Sequence, residues 1–235
     1  MKVLGHRGAA GTAPENTLPA FRKGLEVGVD GFEFDVQLSR DGEVVICHDE
    51  RVERTSDGVG WIKDLTLKEL KALNFGVRFG VQAEIPTLLE LLELLELLHG
   101  RALLLNVEVK SSALIEYPGI VDKVVNILAE YRFLSQSIVS SFDHRVVAEV
   151  IRNYPQVQAG LLYASGPLEP WVYARQVGAA HLHPHFAFVS LELVRESHAR
   201  GIGINTWTVD EPWVMEKMAA VGVDSVITNH PERFK

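Results

Sequence analysis

Two acidic residues, Glu33 and Asp35, stand two positions apart within the largely apolar segment 31–36. The side chains of a β-strand alternate between its two faces, so a strand here places both carboxylates on one face. Two like charges on one inward face repel each other unless a cation or a proton lies between them. Glu108 and Lys110 repeat this spacing in a second strand-like segment. The pattern therefore predicts a metal site.

The balance of charge in this set favours a bound divalent cation. The three carboxylates are Glu33, Asp35 and Glu108, and Arg7 and Lys110 can pair with only two of them. Burying the remaining negative charge without a partner costs several kcal/mol. A cluster of structural ion pairs without metal is the alternative interpretation. The all-oxygen ligand set predicts Mg²⁺ or Ca²⁺ rather than zinc.

Two histidines, His6 and His48, each stand at the predicted end of a strand near these carboxylates. Histidine titrates near neutral pH, so one can accept a proton and the other donate one in the same cycle. Arg7 and Lys110 supply positive charge suited to a phosphate group. A metal, two histidines and two cations together indicate phosphoryl transfer. Either histidine can be the base in this interpretation.

Further polar and aromatic residues occupy the same predicted strand ends and loops. Glu15 either orients a catalytic group or completes a network of charges, and Asp49 is expected to orient its neighbours. Trp207 is either a wall of the substrate pocket or part of the barrel packing. Two other candidates for the pocket are Phe142 and His183. Three residues are expected to have structural or exposed positions without chemistry: Cys47, His185 and His230.

The candidate residues need a scaffold that brings strand ends together, and the chain predicts one. Eight strand candidates, bounded by turn residues, alternate with helical patterns. They are 3–6, 31–38, 103–110, 137–142, 159–163, 180–183, 203–209 and 225–228. Such alternation predicts an α/β fold, in which a parallel sheet closes into a TIM (β/α)₈ barrel. Catalytic residues of these barrels gather at the carboxyl ends of the strands.

One region departs from the even repeat. Asp41 and Gly42 predict a hairpin, after which the chain returns as an extra strand over 43–49. Residues 50–85 then form a small insertion between the second and third barrel strands. Because no linker-like segment interrupts the sequence, we expect residues 1–235 to form a single domain.

Composition and net charge restrict the classes of molecule that this protein is expected to bind. The chain has 235 residues and a net charge of −8 without a basic block, which disfavours nucleic acid as a partner. The longest apolar-rich stretch, 88–98, contains three glutamates, so we expect no transmembrane segment. The single cysteine excludes an internal disulfide, and the start of the chain has no signal-like apolar core. A cytoplasmic enzyme with a small-molecule substrate is the expectation.

In their order and spacing, the motifs resemble the glycerophosphodiester phosphodiesterase family. They are His6-Arg7-Gly8, Pro14-Glu15-Asn16-Thr17, Glu33-x-Asp35, His48-Asp49, Glu108-x-Lys110 and Asn205-x-Trp207. The resemblance implies a metal-dependent hydrolase on a TIM barrel that splits glycerophosphodiesters into sn-glycerol 3-phosphate and an alcohol. It further implies metal ligands at Glu33, Asp35 and Glu108, an acid–base pair at His6 and His48, and phosphate contacts at Arg7 and Lys110.

Two other functions are left open by the residues. A metal-dependent barrel with two histidines would also serve to isomerise or cleave sugars, but a neutral sugar has no need of Arg7 and Lys110. A non-catalytic scaffold or a binding module for phosphodiester head groups is the second alternative. A degenerate member would be expected to lose a histidine or a carboxylate, whereas this chain keeps them all. In the hydrolytic interpretation, either water or the neighbouring glycerol hydroxyl attacks phosphorus.

Overall fold

A computed structural model describes residues 1–98 and 102–234 of the chain. Its strands are β1 Lys2–His6, β2 Gly31–Leu38, β3 Val44–Ile46, β4 Leu104–Val109, β5 Ser137–Ser141, β6 Gln158–Tyr163, β7 His181–Pro184, β8 Gly203–Thr206 and β9 Ser225–Thr228. Its α-helices are α1 Leu18–Val27, α2 Leu67–Lys71, α3 Leu88–Leu98, α4 Ile120–Glu130, α5 His144–Asn153, α6 Pro170–Val177, α7 Leu191–His198 and α8 Pro212–Val221.

Eight of these strands are parallel and close into a barrel. Around the barrel the order is β1, β2, β4, β5, β6, β7, β8 and β9, and β9 pairs with β1 to complete the circle. The remaining strand, β3, runs antiparallel to β2 and pairs Ile46 with Val36. The prediction of a TIM barrel with an additional hairpin strand is confirmed.

Two of the strands, β3 and β8, end three residues earlier than the apolar pattern predicts. β8 stops at Thr206 instead of residue 209, and Trp207 makes only an isolated bridge to His185. β3 covers 44–46 instead of 43–49. Beyond Ile46 the Gln37 side chain donates hydrogen bonds to backbone carbonyls and so takes the place of a strand partner.

Helix starts follow the capping residues that the sequence provides. Thr66 and Glu69 form a reciprocal capping box at the start of α2, and Asp143 accepts a hydrogen bond from the Arg145 backbone at the start of α5. Helix α3, whose Leu-Leu-Glu period differs from 3.6, is packed into the core as expected. Its fully buried leucines are Leu88, Leu91, Leu92 and Leu95.

The insertion between the second and third barrel strands has a small hydrophobic cluster of its own. The cluster comprises Val45, Cys47, Val52, Ile62, Leu70, Phe75 and Ile85. It joins β3 to the short helix α2 and so fixes the loop that follows His48. That residues 1–235 form a single domain stays a prediction. Within the described ranges, no helix is long and apolar enough to cross a membrane.

Candidate active site

The pairing of neighbouring strands brings the candidate residues together at one end of the barrel. His6, the last residue of β1, lies opposite Glu33 of β2. Glu33 in turn lies opposite Asn106 of β4, and Asp35 lies opposite Glu108. Since inward-facing residues alternate along each strand, this register places three carboxylates and a histidine on the same inner surface.

The turn after β1 positions the first cation. Arg7 has a φ of 52° and Gly8 a φ of 89°, so the backbone bends sharply as it leaves the strand. A Cβ atom on Gly8 would lie 2.6 Å from the backbone carbon of Ala20. Glycine is therefore required there, and the bend directs Arg7 across the mouth of the barrel.

The three carboxylates form a compact buried cluster. One oxygen from each of Glu33, Asp35 and Glu108 lies within 4.8 Å of the others. Asp35 Oδ1 is buried without a hydrogen-bond partner in the described residues, with Lys110 Nζ 3.6 Å away. Free carboxylate lone pairs that converge on one point are the donor set of Mg²⁺ and Ca²⁺. The residues therefore fit a divalent cation, as the sequence predicts.

The electrostatics of the cluster agree with this fit. Burial, together with the charges of Asp35 and Glu108, raises the pKa of Glu33 well above its ordinary value. Burial and the charge of Asp35 raise the pKa of Glu108 to about 7. Without an additional cation, burial and mutual repulsion thus disfavour the charged forms of both glutamates.

Arg7 and Lys110 compensate only part of this negative charge. Lys110 Nζ lies 2.8 Å from Glu108 Oε1 and 3.6 Å from Asp35, while Arg7 Nε lies 3.5 Å from Asp35. Burial alone would raise the pKa of Asp35, but the charges of Lys110 and Arg7 outweigh it and hold that pKa below its usual range. Asn16 also donates a hydrogen bond of 2.9 Å to Asp35.

His6 is oriented by a chain of two residues from the end of β9 and the loop after β8. Asn229 Nδ2 donates to Asp210 Oδ2 at 2.8 Å, so its Oδ1 points to His6 Nδ1, 2.7 Å away. That contact requires the proton on Nδ1 and leaves His6 Nε2 as an acceptor, 3.6 Å from Glu33 Oε2. Burial and the charge of Arg7 lower the pKa of His6 to about 4, so the ring is neutral at pH 7.

His48 is oriented by the insertion. Its Nδ1 lies 2.6 Å from Asp49 Oδ1, and Asp49 is itself bound by the Arg54 guanidinium. Arg54 also makes two hydrogen bonds of 2.7 Å to Glu15, which binds Arg7 at 2.8 Å. Burial lowers the pKa of His48, with the Asp49 hydrogen bond acting in the opposite direction.

One cavity of about 70 Å³ joins most of the predicted residues. Its lining comprises His6, Arg7, Glu33, His48, Asn106, Glu108, Phe142, Leu162, Trp207, Thr208 and Ile227. Asp35 and Lys110 are not part of this lining. Asp35 contacts Arg7, and Lys110 contacts Glu108, so each lies directly behind a lining residue. Glu15 lies on the outer side of Arg7 and completes the network of charges there.

Two of the aromatic candidates, Phe142 and Trp207, also line the cavity. Phe142 and Trp207 pack edge to face with ring centroids 5.5 Å apart, and Trp207 Nε1 donates to the backbone oxygen of His183. Both rings line the cavity, whereas His183 is fully buried beneath it. His185 packs against Trp207 with ring centroids 5.3 Å apart.

Two further sequence candidates lie away from the cavity. His230 Nδ1 lies 3.0 Å from Glu232 Oε1. Cys47 belongs to the hydrophobic cluster of the insertion, and burial raises the pKa of its thiol to about 12. Neither side chain belongs to the lining of the cavity.

Sequence reasoning missed Asp210 and Arg54, which hold Asn229 and Asp49, the partners of the two histidines. Asp210 stands at the start of a helix and resembles a cap, yet it binds Asn229. Arg54 lies in the loop of the insertion and has no spacing relation to Glu15, 39 positions away. The only signal in the sequence is that each follows or precedes a predicted strand end, which many surface residues share.

The chain is a closed (β/α)₈ barrel with these residues at the carboxyl ends of its strands, where enzymes of this fold have their active sites. The sequence model of the glycerophosphoryl diester phosphodiesterase family matches residues 6–233, nearly the whole chain. The chain belongs to that family.

Relatives of known sequence or structure align over almost the full length. A glycerophosphodiester phosphodiesterase of Caldanaerobacter subterraneus subsp. tengcongensis is 42% identical over 98% of this chain and 94% of its own. One from Bacillus altitudinis is 34% identical over 99% and 96%. The structure of an Oleispira antarctica phosphodiesterase in complex with the product sn-glycerol-3-phosphate has a TM-score of 0.89 and 29% identity, covering 99% of this chain and 94% of that one.

Proposed function

We propose that the enzyme hydrolyses glycerophosphodiesters to sn-glycerol 3-phosphate and an alcohol, using one divalent cation and a pair of histidines. The observation that carries this proposal is the buried cluster of three carboxylates beside a cavity lined by His6, His48 and Arg7. The product bound to the Oleispira antarctica relative supports the choice of products.

The cation would be held by Glu33, Asp35 and Glu108. Their oxygen atoms favour Mg²⁺ or Ca²⁺, which are hard ions, over softer metals. When bound, such an ion neutralises the surplus carboxylate charge and stabilises negative charge on the phosphoryl group. Arg7 and Lys110 contribute positive charge beside the same position, with Arg7 in the cavity wall and Lys110 behind Glu108.

His6 suits the role of general base. Its Nδ1 proton is committed to Asn229, and its Nε2 lone pair is free to accept a proton from the attacking water or glycerol hydroxyl. As the new P–O bond forms on one side, the bond to the leaving alcohol breaks on the other. Attack by the substrate's own hydroxyl gains from proximity and gives a cyclic phosphate, which water then opens.

His48 suits the role of general acid. Its Nδ1 is held by the Asp49 carboxylate, which stabilises the imidazolium form. A proton on Nε2 then passes to the oxygen of the departing alcohol. Glu15 and Arg54 keep Asp49 in place, and Trp207 and Phe142 form the apolar wall of the pocket. A cytoplasmic location stays a prediction from composition.

Chelation tests the metal requirement. Turnover of glycerophosphocholine should fall to background in EDTA and return on addition of Mg²⁺ or Ca²⁺, because the carboxylates cannot bind the anionic phosphate alone.

Glu33→Ala should abolish turnover and keep the far-ultraviolet circular dichroism of the barrel. Glu26→Ala, on the exposed face of α1, is the matched control and should retain full activity. Full activity in EDTA would refute the proposal.

A further inference from the structure

Asn106 is a buried amide in the cavity that the mechanism above does not use. The residue is 1% exposed, and neither Nδ2 nor Oδ1 has a hydrogen-bond partner among the described residues. Buried polar groups in proteins are almost always hydrogen-bonded, and leaving one unpaired is unfavourable. We therefore expect Nδ2 and Oδ1 of Asn106 to form hydrogen bonds with a molecule that binds in the cavity.

The position of Asn106 restricts what that partner is. The residue shares the inner face of β4 with Glu108 and lies opposite Glu33 on β2. It lines the same cavity as His6, together with two apolar side chains of other strands, Leu162 and Ile227. A molecule in this cavity therefore has one amide and two hydrocarbon side chains available beside the carboxylates.

The hydrogen-bonding capacity of an amide selects among the parts of the substrate. A phosphate at neutral pH mainly accepts hydrogen bonds, and a cation accepts only lone pairs, so each would use one end of the amide. A hydroxyl both donates and accepts, and it can pair with Oδ1 and Nδ2 alike. A three-carbon chain with hydroxyl groups also offers hydrocarbon for Leu162 and Ile227.

We propose that Asn106 binds a hydroxyl group of the glycerol moiety and so determines specificity for glycerophosphodiesters over other phosphodiesters. The inference rests on the proposed function. Asn106 is a binding residue in this account and moves no proton. Discrimination by a polar group of this kind is strong, because an analogue without the hydroxyl leaves the buried amide unpaired.

Two substrates separate this role from general catalysis. For Asn106→Leu and Asn106→Ser we expect kcat/KM on glycerophosphocholine to fall by at least about tenfold, the cost of one lost hydrogen bond. On bis(p-nitrophenyl) phosphate, which has no glycerol, we expect a change of less than about twofold. With that substrate as the reporter, the inhibition constant of sn-glycerol 3-phosphate should rise about tenfold, while that of inorganic phosphate stays constant.

The thermal stability of the same variant tests whether Asn106 has a structural role instead. Because Asn106 makes no hydrogen bond within the described residues, Asn106→Leu should unfold at a temperature no lower than the wild type. Ser197→Ala is the matched control. Ser197 is also fully buried with an unpartnered hydroxyl in the described residues, but it lies on helix α7 and does not belong to the cavity lining. It should leave both substrates and both inhibitors unaffected.

Three outcomes would overturn the inference. An equal loss on both substrates would assign Asn106 to chemistry that all diesters share. No loss on either, or an unchanged inhibition constant for sn-glycerol 3-phosphate, would mean that the amide binds only water. If the wild type cleaves bis(p-nitrophenyl) phosphate but not glycerophosphocholine, the proposed function itself fails, independently of the variants.

Discussion

The two histidines of the site occupy contrasting surroundings. His6 ends a barrel strand, its side chain is 13% exposed, and its partner is the neutral amide of Asn229. His48 follows the hairpin strand outside the barrel, its side chain is 33% exposed, and its partner is the Asp49 carboxylate. A neutral partner in a buried site favours the neutral imidazole, whereas a carboxylate favours the imidazolium. In the proposed mechanism, the same residue type therefore serves opposite proton transfers.

The contrast extends to the elements that hold each ring. The barrel side is built from hydrogen bonds that run from Asp210, in the loop after β8, through Asn229 to His6 at the end of β1. The insertion side is built from ion pairs, with Arg54 bridging Asp49 and Glu15. The neutral amide in contact with His6 fixes its tautomer without placing a charge against the ring, while the ion pairs beside His48 also set how much charge that imidazole experiences.

Separate removal of the two rings gives the largest expected effect. His6→Ala should lower kcat by about 10³-fold on both glycerophosphocholine and bis(p-nitrophenyl) phosphate, because every substrate needs the base. His48→Ala should cost a similar factor on glycerophosphocholine but less than about tenfold on the nitrophenyl diester. The reason is that nitrophenolate leaves without protonation. Steady-state kinetics with both substrates provides the measurement.

A surface histidine provides the control for this comparison. His198 lies on α7 and pairs with Asp224, so His198→Ala should change neither rate. If His48→Ala loses as much activity on the nitrophenyl diester as on glycerophosphocholine, the acid role is wrong. If His6→Ala shows the leaving-group dependence instead, the two roles are exchanged.

Changes in the ion pairs around Asp49 should shift the pH profile in opposite directions. Asp49→Asn removes the carboxylate that stabilises protonated His48, so its pKa falls and the basic limb of kcat/KM should move down by about one pH unit. Arg54→Ala leaves the Asp49 charge less compensated, so the pKa of His48 rises and the limb should move up. A shift of both variants in the same direction would contradict this account.

The smallest expected effect is on the stability of the metal-free protein. The pKa of Glu108 is raised from its ordinary value of 4.5 to about 7. Between these two pH values, the folded state therefore retains a proton that the unfolded chain has released. The free energy of unfolding therefore falls as pH rises through this range. The lowered pKa values of His6 and His48 oppose the trend only below their ordinary value of 6.5.

Between pH 6.5 and about 8, the unfolding midpoint in EDTA should therefore decrease by a few degrees. Added Mg²⁺ or Ca²⁺ should remove the decrease, because the cation binds the deprotonated carboxylates. Glu108→Gln, which cannot titrate, should show a flatter pH dependence without metal. Thermal unfolding followed by circular dichroism checks each point. A rise of the midpoint with pH in EDTA would exclude the raised pKa of the carboxylates.

Several features of the site follow from local sequence alone. The period-two spacing of Glu33 and Asp35 puts both on one face of a strand, and β2 has the bounds that the sequence predicts. Alternation of strands and helices predicts the barrel, because short connections between parallel strands leave few other arrangements. The residues expected at strand ends then meet at one rim.

Strand ends and partners were harder to predict, for a physical reason. The apolar pattern of 203–209 continues past Thr206, but the ladder stops where the chain leaves the barrel, and pairing depends on the neighbouring strand. The short β3 is a similar case, because the Gln37 side chain competes for its backbone. Local propensity does not contain this information.

By itself, then, the sequence determined which chemical groups are present and in what order they reach the rim of a barrel. Only the tertiary structure decided which atoms of those groups are available. The free nitrogen of His6 is set by Asn229, 223 residues away, and the charge beside His48 is set by Arg54 in the insertion. Both unpaired ends of Asn106 likewise depend on what the other strands place around it. These properties arise from contacts between distant segments, and no local pattern encodes them.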